Sequence, residues 1–180
     1  MRKLMLFAAC AMLAAVTQAA TVGWNLAGAA SYANDAYQFF VIGQNGATSI
    51  ATITALLDAG TSVDSYAFGS GKVSGTGTGM VLPGSSGKTL GAGTYESFFV
   101  VYDSATPTAG ASQYVVVSGL ANLTKSIGAS TANVTFASGN AASIINDASN
   151  WKSYGDVPEP TSGLLLLMGV GLLGLRRKQK

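Results

Sequence analysis

The chain has no histidine, one cysteine and four prolines in 180 residues, and charged side chains make up only 10% of it. Without histidine a Ser-His-Asp arrangement is impossible, however abundant serine is. With Cys10 alone there is no disulfide and no soft metal cluster, so stability must come from a packed core. Arginine occurs only at Arg2, Arg176 and Arg177. Between the ends, Lys72, Lys88, Lys125 and Lys152 face seven carboxylates over residues 20–157, a net charge of −3 against +2 for the whole chain. That balance leaves no basic patch for nucleic acid or an anionic surface. No acidic run has the spacing of a calcium loop, and no cofactor is expected.

What charge there is gathers at the two ends. Arg2 and Lys3 precede an apolar stretch over residues 4–16, and Thr17, Gln18 and Ala19 follow. This is the order of a secretory signal peptide, residues 1–19, with cleavage by signal peptidase after Ala19 and Ala20 as the alternative. Cys10 lies inside the apolar stretch, where Phe7 and the long apolar continuation do not suit a lipoprotein signal; it reads as a discarded small hydrophobe.

At the other end Pro158, Glu159, Pro160, Thr161 and Ser162 lead into an apolar run over residues 163–175, closed by Arg176, Arg177, Lys178, Gln179 and Lys180. Thirteen helical residues cover roughly 20 Å, short of the roughly 30 Å hydrocarbon core of a bilayer. Such a helix is a weak permanent anchor, and the basic tail (Arg176, Arg177, Lys178, Lys180) holds its end on the cytoplasmic side. The two prolines keep Glu159 extended and without neighbouring backbone donors, as suits a peptide entering a protease groove.

These residues resemble the PEP-CTERM sorting signal. The resemblance is confined to residues 158–180 and implies a sorting motif at Pro158, Glu159 and Pro160, a membrane enzyme of the exosortase type as partner, and transient inner-membrane insertion. Final placement on the cell surface or in an extracellular matrix follows from the same resemblance. The alternative is an ordinary short anchor that is never cut.

Residues 20–157 suffice for one domain. Short β-branched and aromatic runs separated by Gly, Ser, Thr and Asn predict a mainly-β, sandwich-like fold. The strongest strands are expected at 37–42, 95–102 and 113–118, with weaker ones at 21–27 and 132–137. The strong runs are continuously apolar, so they should be central strands covered on both faces. Tyr37-Gln38-Phe39-Phe40-Val41 and Tyr95-Glu96-Ser97-Phe98-Phe99-Val100 share a pattern that reads as two central strands of one sheet. Ile50, Ile53 and Leu57 predict one amphipathic helix over 48–59, ended by Gly60 in the left-handed conformation. Nine glycines over residues 69–93 are expected to form loops around one short strand, and 104–112 to close a hairpin.

Sites are sparse. Gly84 to Thr89 looks like a phosphate-binding loop, but Leu82 stands where its first glycine belongs and Pro83 removes a donor. Glu96 and Asp103 are the best carboxylate pair for a small glycosidase, yet seven strand positions separate them by over ~20 Å, too far to flank one bond. Trp24, Trp151 and Tyr154 are candidates for stacking on a glycan, with closure of the core as the competing role. The expectation is an exported, non-enzymatic structural or adhesive protein, with a carbohydrate-binding module as the alternative, exopolysaccharide as its partner, and a small glycosidase as the lesser alternative.

Overall fold

Two diphenylalanine steps lie face to face at the centre of the protein. In the computed structural model β1 spans Ala20–Ala27, β2 Ala36–Val41 and, after a helix, β3 Gly69–Lys72, β4 Val81–Leu90 and β5 Gly93–Tyr102. Strands β2 and β5 run antiparallel with Phe40 opposite Phe98 and Phe39 opposite Phe99. The first pair stacks at 4.9 Å and 8° on one face of the sheet; the second meets at 5.0 Å and 47° on the other. Every residue of β2 is buried, because both faces of this sheet are covered.

The structure describes residues 18–27, 35–72, 81–108, 110–139 and 141–155. The expected signal peptide up to residue 17, the Pro158-Glu159-Pro160 motif, the apolar helix over 163–175 and the basic tail lie outside the described residues. The remaining strands are β6 Gln113–Val117, β7 Thr124–Ile127, β8 Asn133–Ala137 and β9 Lys152–Ser153. The larger sheet has the order β3-β2-β5-β6-β9, with β7 pairing the first half of β5; the smaller has the order β4-β1-β8. Strand β1 is antiparallel to β4 and parallel to β8.

Strand alternation divides the side chains into two cores. Trp24, Leu26, Phe39, Phe99, Val115 and Phe136 fill the space between the sheets. On the outer face of the larger sheet Phe40, Phe98, Val100, Tyr102 and Tyr114 lie under Ile53 and Leu57 of helix α1, Ile50–Asp58. The helix starts at Ser49, whose Oγ accepts from the Thr52 amide at 3.1 Å, and Gly60 follows it with φ +67°. The mainly-β fold with a helix packed on the larger sheet, the paired aromatic strands and the hairpin from Asp103 to Gln113 follow the expectation from sequence; a second helix of four residues, Ala142–Ile145, with Ile145 in the core between the sheets, does not.

The glycine-rich region does not. Instead of loops around one short strand, 69–72 and 81–90 are strands β3 and β4. Their glycines make room for rings. A Cβ on Gly84, paired with Trp24 across β1 and β4, would stand 2.2 Å from Trp24 Nε1; one on Gly69 would stand 2.0 Å from the same indole. Glycine under a cross-strand aromatic keeps a sheet intact where a side chain would collide. The phosphate-loop resemblance at Gly84 to Thr89 also ends here, since the segment is a strand, with three residues, Ser86 to Lys88, bulging against Val22. Pro83 is accommodated because β4 is the edge of its sheet.

Candidate functional site

The last described stretch folds back against the mouth of the β5–β6 hairpin. The short helix α2, Ala142–Ile145, is followed by a 3-10 turn over Ala148–Asn150 that Asp147 caps, accepting from the Ser149 amide at 2.9 Å and its hydroxyl at 2.7 Å. Asn150 Nδ2 donates to the Ile144 carbonyl at 3.0 Å, and Trp151 Nε1 to the Ile145 carbonyl at 2.8 Å. Both bonds tie the turn to α2 and set the plane of a half-buried indole. Strand β9 then pairs with the start of β6, Gln113 opposite Ser153. The result is an open cleft of about 170 Å³ lined by Asp103, Gln113, Ala148 and Trp151.

Asp103 is the fixed charge of this cleft. Its Oδ1 accepts from the amides of Ser112 at 2.8 Å and Gln113 at 2.9 Å, and its Oδ2 accepts from the Ser112 hydroxyl. Burial alone would push this carboxyl up, but the hydrogen bonds from Ser112 and Gln113 outweigh it and hold the group below the usual carboxylate range. Asp35, just before β2, is shifted the other way: burial raises it first, and the nearby Asp103 charge adds to the rise. The cleft thus brings together a half-buried indole, an ionised acceptor and an exposed amide, with a second carboxyl nearby and no cation among the described residues that line it.

Of the three candidate glycan contacts, only Trp151 lies in this cleft. Trp24 is 2% exposed, stacked on Phe39 at 4.9 Å with its Nε1 directed to the Tyr37 hydroxyl at 3.3 Å; it is a core residue and offers no face to a sugar. Tyr154 is half-buried against the helix side of the larger sheet, and its hydroxyl donates to the Gly60 carbonyl at 3.0 Å. Glu96 is exposed opposite Thr124 on β7, seven residues along β5 from Asp103, so the two carboxylates serve different ends of the strand. Gln113 escaped the sequence reading as a site residue: it lies ten positions from Asp103, and only closure of the hairpin brings the two together.

Among the described residues no group of three His, Cys, Asp or Glu could hold a metal ion, and no helix is long and apolar enough to cross a membrane. Ala19 is exposed, immediately before β1. No curated protein and no solved structure matches the chain. One family model does, that of the PEP-CTERM protein-sorting motif, over residues 156–179. Its match begins one residue after Gly155, where the described body ends, and takes in Pro158, Glu159, Pro160, the apolar run and Arg176, Arg177 and Lys178. The chain therefore carries a PEP-CTERM protein-sorting segment, which implies an exported protein that associates transiently with the membrane and is processed by an exosortase-type enzyme.

Proposed function

We propose that residues 20–157 form a non-enzymatic structural or adhesive domain that the sorting segment delivers to the cell surface or an extracellular matrix. The observation that carries this reading is the sorting-motif match at 156–179. Two features of the body support it. Its β1 starts at Ala20, which is fully buried opposite Leu90, so removal of residues 1–19 leaves the strand whole, whereas a cut after Ala20 would take a core residue. The outer face of the smaller sheet carries Thr89, Thr21 and Asn133 in one row and Ser85, Gly23 and Thr135 in another, all uncharged and all but Gly23 exposed, with the Ser86 to Lys88 bulge between the rows. A face of hydroxyls and amides suits a hydrated matrix of neutral polymer better than it suits a charged partner.

The body also sets where the motif is presented. Gly155 is fixed by its amide to the Leu57 carbonyl at 3.1 Å, and Pro158 is three residues on. An extended chain can carry the motif only ~10 Å from that point. Intact-mass measurement of protein recovered from cells tests the account. Loss of residues 1–19 together with loss of the terminal basic residues is expected; protein that keeps Arg176 to Lys180 and fractionates permanently with the inner membrane would overturn it. A second reading, that the domain binds carbohydrate, is favoured by the anchored Trp151 ring beside Asp103 and Gln113.

A further inference from the structure

We infer that the free edge of β8 pairs with β8 of a second copy of this chain, antiparallel about a two-fold axis at Thr135, so that the two smaller sheets join into one. The inference stands on the edge alone and holds whatever the domain binds.

The direction of the backbone groups comes first. Thr21 donates its amide to the Ala132 carbonyl and Ser138 its amide to the Asn25 carbonyl, both at 2.9 Å. Successive residues of a strand turn their N–H and C=O to opposite sides, so Val134 and Phe136 face β1, and Asn133, Thr135 and Ala137 face away. Strand β8 is last in the order of its sheet, and among the described residues nothing pairs with those outward groups. The chain arrives from β7 in the larger sheet and leaves into α2, whose Ile145 lies between the sheets, so neither flank adds a strand to this edge. Charge, proline and bulges are the devices that keep an edge from pairing, and Asn133–Ala137 has none of them.

The opposite edge of the same sheet has all three. Thr21 and Asn25 turn to β8, so Trp24 and Leu26 turn to β4, where they meet Gly84 and Leu82. Pro83 then stands at an outward position and offers no donor. Beyond it Ser86 to Lys88 bulge, with the Lys88 amide turned in to Ser86 Oγ at 2.9 Å. Head-to-tail growth from β8 to β4 is thereby blocked, and what remains is pairing of β8 with itself, which closes at two copies. A two-fold at Thr135 sets Thr135 against Thr135 and Asn133 against Ala137. No charge is opposed to its own copy, and every outward N–H and C=O of the three residues meets a partner. The sorting segment supplies the second copy, because it gathers many copies of this chain at one membrane.

Full-length protein in detergent would be followed by sedimentation equilibrium over a range of concentrations. A dimer is expected, weakened at least about tenfold by Thr135→Pro and by Thr135→Lys. The Thr135 amide and its exposed side chain both point away from β1, so the ladder survives either change, and circular dichroism checks the fold. Thr21→Lys, exposed on the same face but on the central strand, should leave association unchanged. In a Cys10→Ser background Thr135→Cys should cross-link to its own copy on oxidation, at about 5.5 Å between Cα atoms; Asn133→Cys, about 14 Å from its counterpart, should not. A monomer at every concentration, or a dimer indifferent to both Thr135 changes, would overturn the pairing. A dimer lost with Thr21→Lys would mean stacking of faces and overturn it too, and cross-linking through Asn133→Cys instead of Thr135→Cys would overturn the register.

Discussion

Trp24 and Gly84 are directly opposed on β1 and β4, and the indole occupies the volume that a side chain on Gly84 would need, with Nε1 2.2 Å from the position of a Cβ. Backbone fixes the position of Gly84, and Trp24 is wedged between it and Phe39, so neither can yield cheaply. Gly84→Ala should therefore cost about 3 kcal/mol, at the upper end for overpacking. Gly91→Ala, where an added Cβ meets nothing within 4 Å, should stay within about 0.5 kcal/mol of wild type. Urea unfolding of the two variants side by side checks both.

The same relationship explains which parts of the fold could be read from sequence. Phe39-Phe40 and Phe98-Phe99 announce strands because local β preference, apolar runs and double-sided burial all agree there. Ile50, Ile53 and Leu57 likewise announce α1. Gly69, Gly71 and Gly84 mislead, since local rules assign glycine to turns, and only the long-range placement of Trp24 and Tyr37 reverses that. The cleft was legible only in pieces. Trp151 and Asp103 are 48 positions apart, and what joins them is the return of the chain through α2 to the edge of β6.

Two tyrosine hydroxyls on the helix side distinguish a buried bond from a rim bond. Tyr102 donates to Gln38 Oε1 at 2.5 Å, and Gln38, 2% exposed, donates on to Asp64 at 2.6 Å. Tyr114 donates to Asp58 at 2.6 Å, at the half-exposed end of α1. Tyr102→Phe strands the Gln38 oxygen and should cost about 2 kcal/mol; Tyr114→Phe leaves Asp58 within reach of water and should cost about 1 kcal/mol. Burial pushes both hydroxyls up, with Asp58 adding to the rise at Tyr114, so neither should ionise below the pH of alkaline unfolding. Thermal melts measure the costs, and tyrosinate absorbance measures the ionisation.

Gly60 and Gly155 meet backbone to backbone, and a Cβ on Gly60 would lie 3.1 Å from the Gly155 Cα. Gly60 also has φ +67°, which any other residue adopts at a cost. Gly60→Ala should destabilise by about 1–2 kcal/mol. It should also loosen the chain just before the sorting segment. Hydrogen exchange at the Tyr154 amide, bonded to Ser112 at 2.9 Å, should quicken more than at the β2 and β5 amides. Uniform quickening across both strands would show only global destabilisation.

Asp103 and Asp35 should pull the pH dependence of stability in opposite directions. The carboxyl of Asp103 is lowered on folding, so its contribution is present above the unfolded value near 3.8 and is lost as pH falls through the folded one. That of Asp35 is raised, first by burial and then by the Asp103 charge, so its ionised form costs stability above its folded value and the cost vanishes below about 3.8. Asp103→Asn should then lower the melting temperature at pH 7, and Asp35→Asn should raise it, with the Asp35→Asn difference disappearing on acidification below that value. Because part of the Asp35 shift comes from Asp103, the double variant should gain less from Asp35→Asn than the wild type does. Additive melting shifts at pH 7 would mean that the two carboxyls do not sense one another.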